Sequence, residues 1–163
     1  MGAAAAVAGQ NLGADNPERA SAAVRTASRF GLLVAGFVGL FFLFFPQQLL
    51  AIFGMTEPVV VEVGTQLLRV LSVSGLLVTV ALTYTGGLQG TGDTKSPLYI
   101  SIISQVVIPL GICFVLQQTL GLQAIHIWLA ILAGHFARAS LSVYKFNQGR
   151  WKDIKVDIDT TVA

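Results

Sequence analysis

Four apolar stretches, each long enough to cross a bilayer and each bounded by proline or glycine, constrain this chain more than any other feature. A helix needs about 20 apolar residues to span the hydrocarbon core, and residues 22–45, 62–88, 98–120 and 123–146 all reach that length. Backbone polar groups in lipid must be satisfied within the segment, so each stretch reads as a helix. Composition agrees: with 54% hydrophobic and 11% charged residues, the chain has too little polar surface to coat a soluble domain of 163 residues. The expected fold is all-α, a polytopic α-helical membrane protein with the lipid bilayer as its first partner. The single Cys113 lies in an apolar run, which excludes an intrachain disulfide and a cysteine metal cluster and leaves an inert buried thiol.

Helix punctuation orders the chain. Ala-rich Gly2 to Leu12 reads as the end of a helix; its eleven residues reach only about 17 Å, half the hydrocarbon core. Asn16, Pro17 and Glu18 supply a cap, a first-turn proline and a first-turn acid, and the helix they open runs to Phe45. Its apolar part, Phe30 to Phe45, is extended by Ala22 to Ser28 while Arg25 and Arg29 snorkel to the headgroups. Pro46 ends or kinks it, and Leu49 to Gly54 looks like a short interfacial turn closed by glycine. Thr56, Glu57 and Pro58 open a second long helix that should run to about Leu88, where Gly86, Gly87, Gly90 and Gly92 dissolve it. Gly90 to Pro97 is turn-rich, with Ser96-Pro97 as a further cap pair. The third span, Leu98 to Leu120, should kink at Pro109 and end at Gly121. The fourth runs from Gln123 to Phe146, and residues 149–163 form a polar tail in which Trp151 is placed to anchor at the membrane interface.

The basic residues set an orientation. With Arg19, Arg25 and Arg29 in the cytoplasm, four crossings put Lys95, Lys145, Arg150, Lys152 and Lys155 on the same side, while the opposite loops, 47–63 and 119–123, carry no Lys or Arg. That asymmetry is the positive-inside pattern, so the tail is expected to be cytoplasmic. Arg69, two turns after Glu62, and Arg138 lie within spans, where either snorkelling, a structural pair or a transport role would account for them.

No catalytic constellation, metal-ligand spacing or phosphate-cradling loop is present, so the chain reads as a non-enzyme with no cofactor, no metal and no nucleic-acid partner. Gly86 to Gly92 follows a hydrophobic helix and lacks nucleotide-fingerprint spacing. His135 and Arg138, at i and i+3, fit a proton relay or plain packing. More informative is a stripe of small and hydroxylated residues in the second long span: Ser72, Gly75, Thr79, Thr83, Gly86 and Gly90 share one helix face. Two uses fit such a face, close helix contact or the lining of an aqueous cavity. Gly31, Ala35 and Gly39 form a second small row suited to close packing.

Three stretches together carry a family resemblance: residues 3–20, residues 67–97 and the closing Phe146 to Trp151. Their most specific parts are Gly9, Gln10, Asn11, Leu12 and Gly13 followed by Asn16 and Pro17, and Gly92, Asp93 and Thr94. The chain resembles the carboxy-terminal half of a multidrug and toxic compound extrusion (MATE) transporter, whose two elements of this kind follow the eighth and tenth transmembrane helices. The resemblance implies twelve helices in two six-helix lobes, of which residues 1–148 supply part of the second: a truncated amino-terminal helix and four complete transmembrane helices. The amino-terminal lobe of the same transporter would then be the missing partner, and the chain a truncated product or fragment not competent alone.

By resemblance, the function is cation-coupled antiport, exporting small organic, often cationic compounds by alternating access against protons or sodium, in a bacterial or archaeal plasma membrane. Such coupling needs an embedded carboxylate. Asp15, Glu18, Glu57, Glu62, Asp93, Asp153, Asp157 and Asp159 all fall in loops or near helix ends, and residues 66–89 hold no Asp or Glu although some branches place an acidic ligand there. The coupling ion therefore stays open. Thr79 and Thr83, with Gln105 in the next span, are the candidate substrate-pathway residues. The rival readings are a small helical assembly subunit or a nonfunctional remnant without a transport cycle, and a compact four-helix exporter acting as a dimer. The last should carry its own intramembrane carboxylate, which is missing here.

Overall fold

The computed structural model describes residues 2–154, so Lys155, Asp157 and Asp159 lie outside the described residues. Its helices are α1 (Gly2–Gly13), α2 (Pro17–Phe44), α3 (Pro46–Ile52), α4 (Pro58–Gly90), α5 (Lys95–Ile102), α6 (Ile108–Thr119) and α7 (Ala124–Asn147). A π-helical turn, Ile103–Val107, joins α5 to α6, and a 3-10 turn, Arg150–Asp153, follows α7. With α5, the π turn and α6 counted as one span, four helices among the described residues are long and apolar enough to cross a membrane. The all-α reading holds.

Proline sets the helix starts more than side-chain caps do. Pro17, Pro46 and Pro58 each stand at a first helical position, where the missing N–H costs nothing and φ is already helical. Asn16 precedes α2 without capping it; its Nδ2 donates to the Ala14 carbonyl at 2.8 Å. Pro46 opens the short α3, which a turn at Gly54 (φ 71°) closes. The cap expected at Ser96-Pro97 is displaced: α5 begins at Lys95, and Asp93 Oδ1 accepts from the Ser96 N–H at 3.0 Å. Gly92 (φ 92°) makes the preceding turn possible.

One further expectation is corrected. Gly86, Gly87 and Gly90 do not dissolve α4, which stays helical through Gly90. Gly87 and Gly90 are close-approach points: a Cβ on Gly87 would lie 2.8 Å from Val24 Cγ2 and 3.0 Å from Phe146 Cε2, and one on Gly90 would fall on the Ala5 backbone. Packing against three neighbours offsets glycine's weak helix propensity. At Pro109 the chain meets the missing N–H with the π turn just upstream. That turn brings the Ser104 carbonyl against Gly134, where a Cβ would collide with it and sit 2.9 Å from Pro109 Cγ.

α4 is the hub. Along α2, Val24, Gly31 and Gly39 meet Gly87, Thr79 and Ser72 in that order, so α2 and α4 run antiparallel. Thr85 and Ser142 share a hydrogen bond of 3.2 Å, and Phe146 lies beside Gly87, so α4 and α7 run parallel. α5 and α6 pack on α7, and α1 lies against both α2 and α4.

The buried core gathers at one end. Ala8, Ala20, Val24, Leu88, Phe146 and Trp151 form one cluster, drawn from the start of α2 and the ends of α1, α4 and α7. Trp151 is no interfacial anchor: it is 1% exposed, stacks on Phe146 at 4.8 Å between ring centroids, and donates Nε1–H to the Phe146 carbonyl at 2.8 Å. The left-handed Gly149 (φ 73°) folds the chain back to put it there. Lys152, next to it, pairs with Glu18 at 2.5 Å on the surface, a contact that adds little to stability. Elsewhere the apolar faces are open, with Phe30, Leu33 and Phe37 exposed and no residue of α6 buried.

Candidate functional site

The small-residue face of α4 is half contact and half groove. At its α5-proximal end it is packed: Thr83, Gly86 and Gly87 are buried, and Gly90 meets α1. Toward the other end it opens into a groove of about 580 Å³ between α2 and α4, with Gly31, Ala35 and Gly39 on one wall and Ser72, Gly75 and Thr79 on the other. The two small rows read from the sequence therefore face each other. Close approach keeps the helices together below the groove: a Cβ on Gly31 would stand 2.7 Å from Thr79 Cγ2, and one on Gly39 3.0 Å from the Ser72 carbonyl oxygen.

The hydroxyls of this face are satisfied within α4. Ser72 Oγ donates to the Arg69 carbonyl at 2.7 Å, Thr79 Oγ1 to Gly75 at 2.8 Å and Thr83 Oγ1 to Thr79 at 2.8 Å. A hydroxyl that donates to its own helix keeps free lone pairs, so it can accept from a ligand or water without being orphaned when none is there. Thr79 lines the groove, while Thr83 is 8% exposed and packed away from it. Gln105 sits exposed on the π turn and is not part of the groove wall. The three candidate pathway residues are thus not brought to one cavity.

The motif residues build turns and contacts at one end of the bundle. Gly9 lies against the Gly90 carbonyl, where a Cβ would be 2.5 Å from the oxygen. Gln10 and Gly13 belong to the last turn of α1, and Asn11 Nδ2 donates to the Val7 carbonyl at 2.8 Å. Asn16 and Pro17 make the α1–α2 junction, as Gly92, Asp93 and Thr94 make the α4–α5 junction. Their chemistry is that of chain reversal and helix contact.

A second cavity, of about 510 Å³, lies at the opposite end of α4 and was not foreseen as a unit. Glu62, Thr65, Gln66 and Arg69 line it from α4, facing Gln47 and Thr56. Their i, i+3, i+4, i+7 spacing was the available signal, diluted by the apolar residues between them. Glu62 and Arg69 form no ion pair within 4 Å, so the structural pair is not made. Thr65 Oγ1 is buried without a hydrogen-bond partner, as are His135 Nδ1 and Arg138 Nε on α7.

The family model described as MatE matches residues 1–115. The chain is 26% identical over 144 residues to the probable multidrug resistance protein NorM of Thermotoga maritima, covering 88% of the chain and 31% of that relative. It is 33% identical over 99 residues to the probable multidrug resistance protein YoeA of Bacillus subtilis, covering 61% of the chain and 21% of the relative. The chain spans a third or less of the length of the relatives it matches.

Proposed function

The chain belongs to the MatE family, and from that premise we propose that it acts in multidrug efflux as part of the second lobe of an alternating-access antiporter. The carrying observation is the family match over residues 1–115, which includes α1, α2, α4 and both motif junctions. The relatives' names supply the drug-export reading, and their length supplies the reading that a second lobe completes the cavity. Small organic, often cationic compounds are the proposed substrates, with protons or sodium as the coupling ion. An integral membrane protein with bacterial relatives is placed, in this reading, in the plasma membrane with the Lys95 and Lys145 end in the cytoplasm.

Within that cycle the α2–α4 groove, with Thr79 on its wall, is the portion of this chain that contributes to the substrate path. Its lining is largely apolar with a few hydroxyls, suited to lipophilic cations of varied shape. Efflux of a fluorescent organic cation from proteoliposomes tests the proposal. The 163-residue chain alone should show no proton- or sodium-dependent efflux, and joining it to the remaining helices of a full-length relative should restore export. Coupled efflux by the isolated chain would overturn the two-lobe reading in favour of the compact exporter.

A further inference from the structure

We propose that the groove between the first two turns of α5 and the last two turns of α7 binds one anionic phospholipid from the leaflet at that end of the bundle. The groove has a volume of about 280 Å³. Its floor is apolar, made by the buried Ile100 and by Leu141. Tyr99 and Tyr144 stand at its sides, 63% and 65% exposed, and Lys145 lies at its polar end. Among the described residues no acidic side chain lines it. Among the described residues Lys145 has no ion-pair partner within 4 Å, in contrast to Lys152.

This combination matches a phospholipid in three respects. The ammonium complements a phosphate, and Lys95 and Arg150 at the same end of the bundle reinforce the positive field. Exposed phenols at the end of an apolar helix pair suit the headgroup level, where the ring is greasy and the hydroxyl wet. The Ile100 and Leu141 floor suits the upper part of an acyl chain, which a free phosphate would leave uncovered. Grooves of this size take the headgroup region and the start of one chain, so the rest of the lipid stays in the bilayer. This assignment is independent of the transport reading, since it uses only residues of α5 and α7.

The test is lipid binding to the 163-residue chain, purified, delipidated and followed by native mass spectrometry. Phosphatidylglycerol should bind about five-fold more tightly than phosphatidylcholine, the preference expected for one lysine near a charged headgroup. Lys145→Gln should abolish that preference, Lys145→Arg should keep it, and Lys95→Gln, which lies outside the groove wall, should leave most of it. Leu141→Trp, which fills the floor and spares the charge, should weaken phosphatidylglycerol binding. Equal binding of the two lipids, or equal losses with Lys95→Gln and Lys145→Gln, would overturn the site in favour of diffuse surface charge. Displacement of the lipid by inorganic phosphate at equal concentration, or cross-linking of Ser96→Cys to a second copy in place of lipid protection, would overturn it as well. If Lys145→Gln loses helicity, Lys145→Arg and Leu141→Trp decide the outcome.

Discussion

Replacing Trp151 by alanine should be among the most damaging single changes outside the spans. The indole is fully buried between the starts and ends of four helices, stacked on Phe146 and bonded to its carbonyl. Large-to-small changes at such aromatics cost about 3–5 kcal/mol. Of this, roughly 1 kcal/mol belongs to the Nε1–H bond and about 0.5–1.5 kcal/mol to the ring pair beyond its buried area. Trp151→Phe should therefore lose only about 1 kcal/mol, since it keeps a ring on Phe146 and drops the donor. Unfolding of the chain in mixed micelles by increasing SDS, followed by circular dichroism, measures both; a loss of 3 kcal/mol is more than a hundredfold in the folding equilibrium. Fluorescence gives an independent reading, because the chain has only two tryptophans. With Trp128→Phe in place, Trp151 should emit at short wavelength and resist aqueous quenchers and headgroup-level spin labels. A Trp151→Ala variant within 0.5 kcal/mol of the parent, together with ready quenching, would refute the packed cluster and restore the interfacial anchor.

Gly90→Val should push α1 off α4, because its Cβ has no room beside the Ala5 backbone; a loss of about 1–3 kcal/mol in the same SDS titration checks it, and no loss would mean that α1 does not dock there. Thr79→Trp should fill the α2–α4 groove and reduce both stability and reconstituted efflux, whereas the same change at the exposed Val73 should be nearly silent. A double-mutant cycle on Thr85→Val and Ser142→Ala should give a coupling near 0.6 kcal/mol, the average for hydrogen bonds between membrane helices. In cells, Lys95→Cys should resist an impermeant thiol reagent added outside while Gln123→Cys reacts; labelling of Lys95→Cys would invert the topology.

The number and order of the long apolar helices were legible in the sequence, because the bilayer sets helix length and a first-turn proline marks helix starts regardless of tertiary contacts. Pro17, Pro58 and the small rows on α2 and α4 belong to this class, since a helix face is fixed by spacing alone. So did the family, through the junctions at Gly9 to Pro17 and Gly92 to Thr94. Other assignments needed neighbours. Gly87 and Gly90 look like helix breakers until Val24, Phe146 and Ala5 are seen to occupy the space a side chain would need. Trp151 in a polar tail looks like an anchor until Gly149 turns it back onto Phe146. Thr79 and Thr83 share a helix face, yet only Thr79 lines the α2–α4 groove, while packing buries Thr83 farther along that face. Spacing along one helix fixes which residues point the same way; what they point at is decided by helices far off in the chain, whose approach depends on glycine-sized gaps in both partners.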